Sequence, residues 1–220
     1  MRGALWDWAY AWSVMPDLMR GFALTVQLTL ISAALALSLG FVWSVVRLAG
    51  VPLLSPLAWF AAEFFRGTPF LIQLYVVFYV LPNYGIAFSP DATGVLVLGV
   101  YGAARSVELY RAGLESLPQG QWEACLALNL PLSYVWRRAV IPQVAPVVLP
   151  MLGNLVIVMF KDSAVLSTIT VLELVSRARD AGLASFRFLE PLTLAGLLYW
   201  AVSYAAARGV RRLEARGGHR

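Results

Sequence analysis

An uncharged apolar stretch of 26 residues, from Gly21 to Val46, constrains the fold of this chain more than any other feature. As an α-helix it would be about 39 Å long, at about 1.5 Å per residue, which exceeds the hydrocarbon thickness of a bilayer. A soluble domain of 220 residues could not bury this stretch when 60% of its residues are hydrophobic and only 13% are charged. The sequence therefore predicts an integral membrane protein.

Four further apolar segments extend the prediction to an all-α membrane fold with five transmembrane helices. Residues 67–90 are uncharged, but three prolines leave only 70–81 as unbroken helix, so this span must begin near residue 55. The tryptophan-rich residues 1–19 are predicted to form an interfacial segment outside the membrane, not a signal peptide. The predicted spans are about 21–46, 55–81, 92–112, 147–169 and 191–207.

The charges between the spans predict the orientation of the chain. With the amino terminus outside, the cytoplasmic segments hold nine basic and three acidic residues, and the outer segments hold five basic and six acidic residues. Cytoplasmic segments of membrane proteins carry the excess of Arg and Lys, so this orientation, with a cytoplasmic carboxyl terminus, is predicted. The net charge of +5 then reflects topology, not binding of nucleic acid, and 210–220 is a basic cytoplasmic tail at the lipid surface.

Residue counts exclude several kinds of site within one chain. One histidine and one cysteine cannot build a His/Cys metal cluster or a disulfide framework. The only lysine, Lys161, lies in the sequence Met-Phe-Lys-Asp, so the Gly-Lys-Ser/Thr element of a P-loop is missing. Neither a metal nor a nucleotide is therefore expected to bind this chain.

The longest predicted cytoplasmic element is the segment between the third and fourth spans, residues 113–146. Residues 121–128 include good helix formers, Asn129 tolerates the left-handed conformation that closes a helix, and Pro131 prevents continuation. Ser133 is predicted to cap a second short helix that ends at Pro142. Such a helix–turn–helix is either a plug for the groove of a partner or an ordinary interhelical loop.

This segment resembles the cytoplasmic loop of ABC-importer permeases of the type I fold. The family pattern is Glu-Ala-Ala, three residues, Gly, nine residues, Ile, any residue, Leu-Pro. The matching residues are Glu123, Ala124 and Pro142, and the differing ones are Cys125, Asn129, Ala139 and Ile141. The flanking residues 108–121, together with 65–69 and 161–163, resemble permeases of the polar amino-acid uptake branch. The resemblance covers about residues 20–209, which is the expected permease domain.

The resemblance implies a subunit of a larger importer in the bacterial cytoplasmic (inner) membrane. In that family a second permease subunit, identical or paralogous, pairs with the first. An ABC ATPase dimer that uses ATP and Mg lies beneath them, and an external solute-binding protein delivers the substrate. The chain is then not an enzyme by itself and binds no cofactor. The ATPase-coupling residues implied by the family pattern are Glu123, Ala124, Cys125, Asn129 and Pro142.

Six ionisable residues fall within the predicted spans, with Arg111 at the end of the third span counted as cytoplasmic, and charges in a span are costly enough to suggest function. Glu63 and Arg66 are three residues apart, as are Arg105 and Glu108, so each pair is predicted to meet on one helical face as a structural ion pair or as part of the substrate path. Gly67 and Pro69 break the second span, so carbonyl groups near residue 65 need other partners. The candidate residues of the substrate path are Arg66, Thr68, Glu108, Lys161, Asp162 and Ser163.

The substrate expected from the resemblance is a polar amino acid or a similar zwitterion. The tracts 169–174 and 186–191 look most like permeases for the zwitterionic osmolyte ectoine. An ion-coupled secondary transporter or channel is the alternative, although no internal repeat supports it. An intramembrane enzyme would need a catalytic pair, but Cys125 lies in the loop and His219 in the tail, so neither is at membrane depth.

Overall fold

The fold is an all-α bundle, as predicted. The computed structural model describes residues 6–217, which form helices and connecting turns and contain no strand. The α-helices are α1 (Trp8–Leu48), α2 (Leu54–Gly67), α3 (Phe70–Tyr75), α4 (Pro90–Glu115), α5 (Gln119–Ala127), α6 (Leu132–Tyr134), α7 (Ile141–Asp162), α8 (Leu174–Ser185) and α9 (Leu189–Gly217). The other helical turns are the π-helices Val76–Val80 and Val135–Val140 and the 3₁₀-helices Leu81–Tyr84 and Ser163–Ile169.

Three described helices are long and apolar enough to cross a membrane, namely Trp8–Leu48, Pro90–Glu115 and Leu132–Ile169. A fourth crossing results if Leu54–Gly67 and Phe70–Tyr84, which are bent by 103° at the break between them, count as one span. The fifth predicted span lies in α9, which is not among these candidate spans. The number of five spans and the orientation therefore stay predictions.

Both ends of the described chain are more helical than predicted. α1 begins at Trp8, where Asp7 caps the helix by accepting hydrogen bonds from the amides of Ala9 and Tyr10 at 2.9 and 3.1 Å. The predicted interfacial segment is therefore continuous with the first span from Trp8 onward. α9 continues through residue 217, so most of the predicted tail extends that helix. Residues 1–5 and 218–220, which include His219, lie outside the described residues.

The predicted helix end at Pro142 is wrong. The helical chain that starts at Leu132 continues through Pro142 into α7, and its cap position is Pro131, so Ser133 is not the cap. A proline lacks the amide that would bond four residues back, and the π-helical turn Val135–Val140 lies immediately before it. Wider turns of this kind accommodate an interrupted hydrogen-bond ladder, so the helix continues where a regular α-helix would stop.

Small residues allow α1 and α4 to approach closely at the centre of the bundle. Ser106 Oγ on α4 donates a hydrogen bond to the Ala36 carbonyl on α1 at 3.1 Å, and Ser106 is fully buried. Gly40 lies beside the same serine, and Gly102 packs against Ala36 and Met159. In a bilayer the lipid tails are as apolar as the side chains, so helices associate through close packing and interhelical hydrogen bonds. This contact positions the other elements.

The substitution Gly40→Ala tests this contact. A Cβ on Gly40 would lie 1.8 Å from Ser106 Oγ and 2.8 Å from the Ala103 carbonyl oxygen, and the second atom belongs to the backbone and cannot rotate away. We expect a loss of about 1–3 kcal/mol in stability, measured as a lower melting temperature in detergent. Gly196→Ala is the control, because its Cβ would meet nothing within 4 Å. Equal melting temperatures for the two variants would contradict the packing described.

Candidate functional site

At the break between α2 and α3, one buried side chain supplies the hydrogen bonds that the backbone lacks. Pro69 has no amide to donate to the Phe65 carbonyl, and Gln73 Nε2 donates to that oxygen instead at 2.7 Å. The same nitrogen donates to the Thr68 carbonyl at 3.0 Å and to Thr68 Oγ1 at 2.8 Å. The predicted need of the carbonyls near residue 65 is thus met inside the protein. The Thr68 hydroxyl in turn donates to the Phe64 carbonyl, so it belongs to the break.

Glu108 on α4 is the centre of an ion cluster that joins three helices. Its carboxylate accepts from Arg47 at the end of α1, lies 3.1 Å from Arg66 on α2, and accepts from Arg111 at 2.8 Å. Arg66 also donates to both oxygens of Glu63, at 2.8 and 2.9 Å, which confirms the predicted Glu63–Arg66 pair. Arg66 and Glu108 therefore form an ion pair that joins α2 to α4.

The predicted Arg105–Glu108 pair is wrong. The Arg105 guanidinium lies over the Tyr101 ring, 4.2 Å from its centroid, and donates to the Tyr101 hydroxyl. Among residues 6–217 no carboxylate lies within 4.0 Å of it. Glu108 pairs instead with Arg111 on α4 and with Arg47 and Arg66 on other helices, and the spacing along α4 does not reveal the last two. The four-residue spacing between Tyr101 and Arg105 is the signal that could have indicated it.

The Lys161–Asp162–Ser163 sequence lies at the end of α7, and its members have different environments. Lys161 is exposed and Asp162 is half-buried, and neither forms an ion pair within 4.0 Å with any residue that the structure describes. The positive charges of Arg105 and Lys161 act on the Asp162 carboxylate. Ser163 is fully buried, and its hydroxyl donates to the Phe160 carbonyl at 2.7 Å. The structure therefore turns Ser163 into the protein and leaves Lys161 and Asp162 without ion-pair partners among the described residues.

The turn after α5 has the predicted left-handed geometry. Asn129 has a φ of 50°, its amide donates to the Leu126 carbonyl at 2.9 Å, and the Leu130 amide donates to the Cys125 carbonyl at 3.2 Å. These two bonds form the motif with which helices commonly end at a residue of positive φ. The departure from glycine at this position thus leaves the turn intact, because asparagine is the residue that best replaces glycine there.

The helix α5 has an inner face and an outer face. Cys125 packs in an apolar cluster with Leu117, Val135 and Val140, so its thiol faces the neighbouring helices. Two contacts fix α5 on the helix that follows, since the rings of Trp122 and Trp136 meet edge to face and Gln143 Nε2 donates to Gln121 Oε1 at 3.2 Å. The outer face is formed by the exposed residues Glu123, Ala124, Leu126 and Leu128.

Two large apolar side chains on this outer face have no cover in the described chain. Leu126 is 78% exposed and Leu128 is 70% exposed, and Leu132 after the turn is 69% exposed. Pro142 is also exposed on the helix beneath. An exposed apolar patch beside charged residues is typical of a surface that binds another protein. The geometry therefore suits a plug whose inner face is held by its own chain and whose outer face is free for a partner.

The tracts that resemble ectoine permeases, 169–174 and 186–191, contain charged side chains that form hydrogen bonds within the protein. Glu173 is fully buried and caps α8, accepting from the amides of Val175 and Ser176 at 2.9 and 2.7 Å. Burial raises the pKa of its carboxyl, and these amide hydrogen bonds oppose the rise. Arg187 donates to Glu190, which also accepts from the Asp7 amide. Within the part of the chain that the structure describes, no group of three His, Cys, Asp or Glu side chains could hold a metal ion.

Comparisons with known proteins agree with this geometry. The family model described as binding-protein-dependent transport system inner membrane component matches residues 46–217. A probable amino-acid ABC transporter permease protein of Sinorhizobium fredii is 36% identical, over 96% of this chain and 94% of the relative. The arginine transport system permease protein of Bacillus subtilis is 33% identical, over 84% of this chain and 85% of the relative.

The fold also matches a solved structure. The crystal structure of an amino acid ABC transporter with histidines superposes with a TM-score of 0.91 at 26% identity, covering 96% of this chain and 99% of that chain. The names of these three proteins mention amino acids, and the expectation of ectoine gains no support from them.

The substitution Gln73→Leu tests how the helix break is maintained. Without the Nε2 donor, the carbonyls of Phe65 and Thr68 lose their partners in a partly buried position, which costs about 1–2 kcal/mol. We expect a lower melting temperature in detergent. Gln27→Leu is the matched control, because Gln27 is exposed on α1 and its loss leaves no described group unsatisfied. An equal or higher melting temperature for Gln73→Leu would show that the break does not depend on this side chain.

Proposed function

The chain belongs to the family of binding-protein-dependent transport system inner membrane components. From this membership we propose which of its residues contact the ATPase and which line the solute path. It is the permease subunit of an amino-acid ABC importer in the inner membrane. The ion-coupled carrier or channel is not favoured by this membership. In our proposal residues 20–209 form the permease domain with five spans, an outer amino terminus and a cytoplasmic carboxyl terminus.

The partners in the proposal follow from the resemblance and from what the chain lacks. A P-loop is missing from its sequence, so the ATP and Mg must be used by another chain, an ABC ATPase dimer on the cytoplasmic side. A second permease subunit and an external solute-binding protein complete the importer. The outer face of α5 is the single observation that carries the assignment of an ATPase contact.

We assign the ATPase contact to α5 and its turn. The inner face of α5 is anchored by Cys125 and Trp122, so a force on the outer face would reach the helix from Leu132 to Asp162 without bending α5. The exposed Leu126 and Leu128 supply apolar area for a groove on the ATPase, and Glu123 and Ala124 lie on the same surface. Asn129 shapes the turn, and Pro142 lies where the long helix continues into the membrane.

We assign the solute path to the charges that the fold leaves unpaired. Arg105 and Asp162 lack ion-pair partners within 4.0 Å among the described residues, yet both lie in predicted spans. An amino acid supplies the missing partners, because its carboxylate suits the Arg105 guanidinium and its ammonium suits the Asp162 carboxylate. Lys161, which is exposed next to Asp162, completes the charged lining.

The remaining path candidates have a supporting role in the proposal. Arg66 and Glu108 hold α1, α2 and α4 together through their ion pairs, and Thr68 fixes the helix break. Ser163 is buried behind Asp162. Broken helices near the midplane are where many transporters bind their solute, so these residues shape the path that Arg105 and Asp162 line.

Reconstitution of the importer tests the function. The chain is placed in liposomes with its ATPase and solute-binding protein, and uptake of a radiolabelled amino-acid mixture is compared with ATP and with a proton or sodium gradient. We expect uptake that requires ATP and the ATPase. Gradient-driven uptake in the absence of the ATPase would overturn the proposal.

Glu123→Arg tests the coupling surface in the same liposomes. Reversing this charge on the proposed interface should lower ATP-driven uptake at least about tenfold, because a like or unpaired charge would then be buried against the ATPase. The melting temperature of the isolated permease should stay unchanged, since Glu123 is exposed. Glu214→Arg makes the same charge reversal at an exposed site on α9 and should retain uptake. Equal uptake by the two variants would remove Glu123 from the coupling surface.

Arg105→Gln tests the solute path. Loss of the guanidinium should raise the KM for the best-transported amino acid about tenfold or more, because a charge-assisted hydrogen bond to the solute carboxylate is lost. The control is Arg20→Gln, whose side chain is 78% exposed on α1 and pairs only loosely with Asp17 at 3.9 Å. A KM unchanged by Arg105→Gln would mean that this arginine does not contact the solute.

A further inference from the structure

Glu173 accepts more hydrogen bonds than a helix cap needs. It is fully buried between two predicted spans, and the amides of Val175 and Ser176 already complete its role as the cap of α8. Its Oε2 atom also accepts from the Tyr199 hydroxyl on α9 at 3.1 Å and lies 3.5 Å from Thr25 Oγ1 on α1. One carboxylate therefore joins three helices.

The surroundings hold this carboxylate in a single place. Thr25 Oγ1 accepts from the Leu174 amide at 3.1 Å and donates to the Gly21 carbonyl at 3.0 Å. Gly21 allows the close approach, because a Cβ there would lie 3.0 Å from the Glu173 carbonyl oxygen. The start of α8 is thus fixed against α1 by backbone and side-chain bonds that do not involve Tyr199.

Tyr199 extends the network to the proposed solute path. Its ring contacts the Phe160 ring with 5.0 Å between centroids, and the Phe160 carbonyl accepts from the Ser163 hydroxyl. Phe160 and Ser163 are both buried and flank Lys161 and Asp162 at the end of α7. The chain changes there from an α-helix to the 3₁₀-helix Ser163–Ile169, where the backbone ladder alone fixes the side chains less firmly.

We propose that Glu173 and Tyr199 are positioning residues for the solute path. Glu173 orients the Tyr199 hydroxyl, and the Tyr199 ring holds Phe160, whose carbonyl accepts from Ser163, so that Asp162 keeps the direction in which it meets the solute. This inference rests on the proposed function, in which Asp162 lines the path. Neither Glu173 nor Tyr199 contacts the solute in this arrangement, and their effect on transport passes through the end of α7.

Tyr199→Phe is the decisive variant, because it removes one hydroxyl and keeps the ring on Phe160 and the cap of α8. In the reconstituted importer, with the labelled amino acid that the unaltered complex takes up best, we expect the KM to rise about threefold to tenfold, the effect of one lost hydrogen bond. The kcat and the melting temperature should change little. Tyr204→Phe is the matched control, because Tyr204 lies on the same helix, is 46% exposed and keeps its stacking on Trp200 as phenylalanine.

Positioning and a general structural role predict different results for Tyr199→Phe. A KM within twofold of the unaltered value in Tyr199→Phe, or a lower melting temperature and kcat with the KM unchanged, would overturn the inference. If the unaltered complex shows no ATP-driven uptake, it is the proposed function that fails.

Glu173→Gln provides an independent check on the other end of the network. Glutamine has one acceptor oxygen in place of two, so it cannot accept from the α8 amides and from Tyr199 together. We expect a KM increase at least as large as that of Tyr199→Phe, together with a lower melting temperature from the weakened cap. If this variant does not fold, Tyr199→Phe still decides the inference. A folded Glu173→Gln complex with an unchanged KM would contradict it.

Discussion

The close approach of α1 and α4 is the contact on which the rest of the structure depends. A bilayer offers no hydrophobic gain for joining two apolar helices, so small residues and buried hydrogen bonds must supply the attraction. Gly40, Gly102 and Ser106 provide this here. Once the two helices touch, the end of α1 carries Arg47 to Glu108 on α4, and α2 completes the cluster with Arg66. This ion pair holds α2, the first part of the broken second span, against the α1–α4 pair.

Charges at membrane depth fall into two classes that only the tertiary structure separates. Arg66 and Glu108 form an ion pair between helices, and loss of either partner would leave the other charge without compensation. Arg105 lies over the Tyr101 ring, and neither Arg105 nor Asp162 forms an ion pair within 4.0 Å with a described residue. A transporter needs both classes, because a path whose charges were all paired would have nothing to offer a zwitterion. In our proposal the buried Glu173 network positions Asp162, a member of the unpaired class.

Features set by neighbouring residues could be predicted from the sequence, and features set by distant ones could not. The all-helical fold, the break at Gly67–Pro69 and the left-handed turn at Asn129 follow from local backbone chemistry. The prediction that Arg105 pairs with Glu108 failed because Arg111 on the same helix and two arginines from other helices, Arg47 and Arg66, bind that carboxylate. The helix end at Pro142 failed because a π-helical turn absorbs the missing amide, and no residue pattern announces such a turn. The role of Gln73 was not predicted either, because no residue pattern shows that this side chain, four residues after Pro69, donates to the Phe65 carbonyl.

The burial of Cys125 leaves the protein without an accessible thiol, since this is the only cysteine of the chain. Thiol reagents attack exposed thiolates and react slowly with sulfur in apolar surroundings. A cysteine introduced on the outer face of α5 would therefore be labelled selectively without first removing the native one. Because the inner face keeps Cys125 in its cluster, the native packing of α5 would be preserved in such a derivative. The chain is thus suited to fluorescence or spin-label measurements of how this helix moves during a transport cycle.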